Sequence, residues 1–306
     1  MQTSPFGRLL SALITPFDAA GAVDYDVAQR LAKHLVAAGH TALVVCGTTG
    51  EAPTLSDDEK LGMFAAVVEA VDVPVIAGTV GYSTAHSIEL TLQAAKLGVH
   101  GILTLCPFYN RPSQAGIEAH FRAIAEACDL PQIIYDIPIR TGRKVSSEVL
   151  VRLAHDVGNI IGVKDAAGNP GETGRLIAST PDDFIVYSGD DLMTLPLLAV
   201  GAVGVIGVAT HWTGPDHIEM FDAFDRGDHV GARAANARML PSFEFETGDL
   251  APNPIPVKAM LRHLGWDVGQ CRLPLGDAPE WVDARAPEVW AALSAARPTT
   301  NEASHG

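Results

Sequence analysis

The 306-residue chain carries 36 acidic and 21 basic side chains, for a net charge of -15, and 47% of its residues are hydrophobic. With a pI of ≈ 5.0 it has no basic surplus with which to bind nucleic acid or an anionic membrane, and no apolar run approaches the ~20 residues of a membrane span. The length accommodates one large α/β domain, or such a domain with an appendage.

Taken in order, short apolar runs alternate with amphipathic segments. The runs cover residues 9–14, 42–46, 73–77, 101–105, 132–135, 160–164, 184–187 and 203–208, and the helical patterns between them cover 25–38, 56–71, 84–97, 116–127, 147–155 and 171–179. Apolar, β-branched runs of this kind are strands buried on both faces, as in a parallel sheet covered by helices. The mean hydropathy of +0.17 suits such a sheet. The strand and helix unit recurs roughly every 20 to 33 residues, and eight runs predict a (β/α)8 TIM barrel over residues 1–225.

A doubly wound sheet is the rival architecture. Its fingerprint would be GxGxxG after the first strand, but ITPFDAAG stands there; the glycines of GAVGVIG, at 201, 204 and 207, lie in the last strand region and read as close packing. After residue 225 the alternation stops. Helical patterns at 230–239, 256–264 and 286–296, separated by APNPIP and RLPLGDAP, predict a C-terminal helical appendage over residues 226–306. The closing PTTNEASHG is small and polar and is expected to fray.

The start, MQTSPFGRLL, lacks the basic and apolar regions of a secretory signal, which points to the cytoplasm. Cys46, Cys106, Cys128 and Cys271 show no CxxC spacing and read as buried reduced thiols. The eleven histidines contain no HxH or HExxH, so no metal is expected.

In a barrel the working residues stand at the C-terminal ends of strands. Of six lysines, only Lys164 closes a core run, IIGVKDAAG at 160–168. The other reading of it is a lysine reaching solvent from a strand end. The second run ends in Gly47-Thr48-Thr49-Gly50-Glu51, a turn offering clustered donors to a small carboxylate; alternatively it is an ordinary helix N-cap with Glu51 in the first turn. The fourth run leads to Tyr109, the fifth to Tyr135 and Arg140, the seventh to Ser188-Gly189-Asp190-Asp191 and the eighth to Ile206. One lysine, two tyrosines, paired threonines and an arginine suit Schiff-base chemistry. A lysine becomes a nucleophile when desolvation lowers its pKa from about 10.4 to nearer 7 or 8, and a tyrosine with a threonine relay can move protons without a cofactor.

The motifs GTTGE at 47–51, YNRP at 109–112, YDIP with Arg140 at 135–140, GVKDA at 162–166, SGDD at 188–191 and PNPIPVK at 252–258 resemble the dihydrodipicolinate synthase family of pyruvate-dependent lyases over nearly the whole chain. The resemblance implies condensation of pyruvate with aspartate 4-semialdehyde on the route to lysine, without cofactor. It implies Lys164 as the iminium-forming lysine, and Tyr135 as the proton-transferring hydroxyl, linked through Thr48 to a Tyr109 from the neighbouring subunit. Thr48 and Thr49 would hold the pyruvate carboxylate and Arg140 the carboxylate of the aldehyde, with Gly189 and Ile206 lining the pyruvate site through backbone contacts. Arg140 could instead be a loop arginine paired with a nearby acid.

Asp136 and Asp165 replace an asparagine and a glutamate of many members, with polarity kept. Ala52, Asp57, Lys60, Tyr82 and His86, at the positions of the lysine-feedback site, lack its histidines and glutamate, and Lys60 and His86 would repel a lysine ammonium; little or no inhibition by lysine is expected. The resemblance also implies a homo-oligomer, a tight dimer or a dimer of dimers. The nearest alternative is a sibling aldolase acting on another aldehyde, for which residues after Arg140 and the ATHWTGPDH loop after Val208 could widen the pocket. A barrel that has lost catalysis and serves binding is a further alternative, against which the full set of chemical residues stands.

Overall fold

Each apolar run forms a short strand, and the strands pair in sequence order until the last returns to the first. The computed structural model describes residues 4–79 and 81–298, so the tail expected to fray after residue 298 lies outside the described residues. Strands β1 (Leu9–Ala12), β2 (Ala42–Val45), β3 (Val75–Gly78), β4 (Gly101–Leu105), β5 (Gln132–Asp136), β6 (Ile160–Asp165), β7 (Ile185–Ser188) and β8 (Gly204–Gly207) form a closed parallel barrel. Parallel neighbours require a crossover, and each is supplied by a helix that covers the outer face. These helices are α1 (Tyr25–Ala37), α2 (Asp57–Ala70), α3 (Thr84–Lys96), α4 (Gln114–Ala127), α5 (Pro138–Thr141), α6 (Ser147–Asp156), α7 (Pro170–Ser179) and α8 (Thr194–Leu198). After the barrel come α9 (Thr210–Asp225), α10 (His229–Glu246), α11 (Ile255–His263) and α12 (Glu280–Ala296).

The helices begin where the sequence offers a cap. Asp24, Ser56, Ser83, Ser113, Ser146 and Asn169 each accept a hydrogen bond from a first-turn amide of the helix that follows, satisfying a donor the helix leaves free. At α2 the cap is reciprocal, since Glu59 reaches back to the Ser56 amide.

Two apolar layers result. Inside the barrel, Leu10, Val44, Ile76, Leu103, Ile133, Tyr135, Ile185, Tyr187 and Ile206 pack together, while alternate strand residues such as Ile134, Val163 and Val186 face the helices. At β8 the close packing expected of the glycines holds: a Cβ on Gly204 would stand 2.0 Å from the Arg8 carbonyl oxygen.

The segment ATHWTGPDH is a structural surprise. It opens α9 rather than a loop, and His211, Trp212, Thr213, Asp216 and His217 are buried against the barrel and α10. None of its side chains lines the cavity at the barrel mouth, contrary to the expectation from sequence that it could widen the pocket.

Candidate active site

Register brings the chemistry together. Tyr135 of β5 lies beside Lys164 of β6, and Lys164 beside Tyr187 of β7; laterally paired residues point to one face of a sheet, here the barrel interior. Tyr187 is directed away from the mouth, its hydroxyl donating to the Gly7 carbonyl at 2.7 Å. The Lys164 ammonium stands 4.2 Å from the centre of the Tyr135 ring, a cation over an aromatic face.

Lys164 does not reach solvent. Its side chain is buried, and burial lowers its pKa to about 8, against the pull of the acidic pair Asp191 and Glu246 and with the help of the Arg140 charge. Burial likewise pushes the Tyr135 phenol above its ordinary range, so the hydroxyl stays protonated at neutral pH. Gly189 is where it is because a Cβ there would sit 2.9 Å from Lys164 Cγ; only a glycine lets this loop close over the lysine stem.

The mouth opens into a cavity of ≈ 550 Å³ that gathers Thr48, Thr49, Tyr135, Arg140, Lys164 and Gly189 on one wall system, with Glu246 and Asn253 from the C-terminal helical region. The 47–51 turn leads into a short 3-10 turn at Ala52–Thr54, and Glu51 gives it no side-chain cap. Ser56 caps the helix that follows, while Glu51 adopts a left-handed backbone (φ 56°) and turns its carboxylate inward. The turn is clamped from three sides: Thr15 Oγ1 donates to the Gly50 carbonyl at 2.7 Å, Asn253 Nδ2 donates to Thr49 Oγ1 at 2.9 Å, and Lys258 Nζ meets Glu51 at 2.6 Å. Arg140 pairs with no acid among the described residues; its guanidinium donates to the Asn253 carbonyl at 3.4 Å and lines the cavity.

Two expected residues stand apart. Ile206 is buried in the barrel interior beneath the cavity, and at β8 the wall is made by Val208. Tyr109 is 91% exposed, with a positive φ of 69°, and projects from its loop away from this chain's Lys164 cavity. Asp136 and Asp165 point out of the barrel. Asp136, raised to about 6 chiefly by burial, accepts from the Val145 amide, and Asp165 accepts from Thr173, so both hold outer helices.

A second cavity of ≈ 400 Å³ adjoins the first through Thr48 and Tyr135 and contains Ala52, Lys60, Tyr82 and His86. Asp57 bridges the two basic groups there, 3.1 Å from Lys60 Nζ and 2.6 Å from His86 Nε2.

Sequence reasoning missed Glu246 and the buried pair Lys258–Glu51. The PNPIPVK motif was the available signal for Lys258, since a lysine following three prolines inside an apolar stretch has no solvent face. The four cysteines are free and buried. No group of three potential metal ligands occurs among the described residues, and no helix among them is long and apolar enough to cross a membrane.

A closed parallel barrel that presents a desolvated lysine beside a tyrosine, at the mouth of a polar cavity, defines the class of barrel proteins equipped for covalent chemistry through an amine. Within that class the chain belongs to the dihydrodipicolinate synthetase family, whose model matches residues 5–295. A 4-hydroxy-tetrahydrodipicolinate synthase of Symbiobacterium thermophilum is 51% identical over 289 residues, covering 94% of this chain and 97% of the relative. One of a Nostoc species is 48% identical over 287 residues, covering 93% and 97%. The crystal structure of the Cyanidioschyzon merolae enzyme with lysine bound superposes with a TM-score of 0.92 at 44% identity, covering 95% of this chain and 99% of that one.

Proposed function

We infer that the protein is a class I lyase that condenses pyruvate with L-aspartate 4-semialdehyde to 4-hydroxy-tetrahydrodipicolinate, the reaction for which its relatives are named. The observation that carries the reading is Lys164, buried in the cavity with a pKa brought down to about 8. Near neutrality a usable fraction of such an amine is unprotonated.

The neutral Nζ attacks the ketone carbon of pyruvate, and the carbinolamine loses water to give an iminium. The iminium withdraws electrons from the adjacent methyl carbon, which gives up a proton and attacks the aldehyde carbon, whose oxygen takes up a proton; the amine of that substrate then attacks the iminium carbon, closing the ring and expelling the Lys164 amine. Tyr135, kept protonated by burial and lying over the amine, is placed to deliver and recover these protons, with Thr48 as the next hydroxyl. Thr49, held by Asn253, offers the pyruvate carboxylate a fixed partner. Arg140, which pairs with no acid among the described residues and lines the cavity, suits the carboxylate of the second substrate. Gly189 admits the substrate close to the lysine stem, and Ile206 supports the floor from below.

Tyr109 completes the relay from a neighbouring subunit in this reading. What supports it is a tyrosine 91% exposed beside a half-open aromatic patch in which Tyr82 stacks edge-on with Phe108 at 5.4 Å. Such a patch suits a homodimer, or a dimer of dimers. The buried free thiols fit work in the reducing cytoplasm.

The test is a coupled assay with pyruvate and either L-aspartate 4-semialdehyde or sugar-derived aldehydes. Turnover is expected with the first only, and Arg140→Ala should raise its KM while leaving pyruvate capture intact. Faster turnover of a sugar-derived aldehyde would assign the chain to a sibling aldolase activity.

A further inference from the structure

Beneath Lys164 the count of hydrogen-bond donors comes out one short. Asp191, in the turn after β7, and Glu246, the last residue of α10, are both buried, at 1% and 6% exposure, and their carboxyls contact one another. Asp191 Oδ2 accepts from the Val208 amide at 2.7 Å, but Asp191 Oδ1 and Glu246 Oε2 have no donor among the described residues.

The nearest remaining candidate, His217 Nε2, lies 3.8 Å from Asp191 Oδ1, beyond hydrogen-bonding distance. Its proton is on the other nitrogen. The Thr213 hydroxyl spends its hydrogen on the Ala209 carbonyl at 2.9 Å, so both Thr213 oxygens face His217 Nδ1 as acceptors and fix the Nδ1–H tautomer. Neighbouring His211 is fixed in the same way, donating through Nδ1 to the Val208 carbonyl at 2.7 Å and accepting at Nε2 from the Ile14 amide. Both rings are buried, and burial lowers their pKa values, so neither carries charge.

Two buried carboxyls in contact, each with an oxygen that no donor among the described residues reaches, need a proton between them. We propose that Asp191 and Glu246 share one proton and present a single negative charge to Lys164, as the counter-ion of its ammonium and of the iminium it forms. The charged groups around the pair are Lys164 of β6, Arg140 after β5, Asp190 of the same turn and Asp249 beyond α10; His211 and His217 of α9 are neutral. Glu246 is therefore a positioning residue. Its carboxylic acid satisfies Asp191 and keeps the second negative charge, which would pull the lysine pKa up and away from working pH, out of the site. Burial and the Asp191 charge raise Glu246 well above the ordinary carboxylate range, in the same direction.

The inference rests on the Schiff-base reading, and the experiment separates the two. Infrared difference spectroscopy of the ligand-free protein at pH 7 should show the carbonyl stretch of a buried protonated carboxyl that disappears in Glu246→Gln; its absence from the unaltered protein overturns the proposal without reference to activity. Pyruvate capture by borohydride is then followed against pH. In Glu246→Gln one charge remains on Asp191, so the capture midpoint should stay within about 0.3 pH unit, whereas Glu246→Gln with Asp191→Asn should lower it by about 1 unit or more. A downward shift of that size in Glu246→Gln alone would mean that both carboxyls were ionised, and would overturn the proposal. If the unaltered protein captures no pyruvate, the Schiff-base reading itself falls while the infrared band still reports on the shared proton.

Discussion

Replacing Lys164 with methionine should abolish activity and stabilise the fold. The stem volume is nearly kept, and the ammonium, buried at a cost, is removed. The cost follows from the drop in pKa from 10.5 to about 8. At about 1.4 kcal/mol per pH unit this is roughly 3 kcal/mol at pH 7. The sign follows from proton uptake. Between pH 8 and 10.5 the unfolded chain holds a proton on this lysine that the folded chain has lost, so folded stability rises with pH across that window, and the full cost applies below it. Lys164→Met should therefore exceed the unaltered protein in stability by up to roughly 3 kcal/mol at pH 7, and by distinctly less at pH 9.5. Chemical denaturation of both proteins at the two pH values, without pyruvate, measures the difference. A variant no more stable at pH 7, or a difference that does not shrink at pH 9.5, would refute the claim that desolvation makes this amine a nucleophile.

Other consequences are as open to measurement. The Lys258–Glu51 pair is fully buried at 2.6 Å, so Lys258→Ala, which strands the Glu51 charge, should cost about 3–5 kcal/mol, and Lys258→Met combined with Glu51→Gln much less; a denaturation double-mutant cycle with no coupling would contradict this. L-Lysine at sub-millimolar concentration should leave the steady-state rate unchanged, because Lys60 and His86 occupy the adjoining cavity around Asp57; clear inhibition in that range would show that Asp57 neutralises them enough to admit a lysine ammonium. Mixing inactive Tyr109→Phe and Lys164→Ala chains should restore part of the activity if Tyr109 serves a neighbour's site, and no recovery would count against that role.

The barrel was legible because its signal is local. Eight apolar runs at regular intervals specify eight strands, and the amphipathic patterns between them place the main outer helices to within a few residues. Lys164 was legible for the same reason, as a charge at the end of a run such as IIGVK. Helix α9 was not. It contains Gly214 and Pro215, and it is buried on most faces, so no polar stripe marks its period. Helix α11 was legible as the pattern at 256–264, but residues from Ile255 to Leu261 are all buried, so no polar face told of the pairing of Lys258 with Glu51. The Glu246 side chain depends on α10 running past Pro241, and its contact with Asp191 is set by tertiary packing that no spacing encodes.

The most direct measurement of the central claim is borohydride reduction in the presence of pyruvate, followed by peptide mass spectrometry. One pyruvate-derived adduct is expected, on the peptide containing Lys164, that increases with pH through about 8 and is absent from Lys164→Ala. An adduct on another lysine, or one that persists in Lys164→Ala, would contradict it.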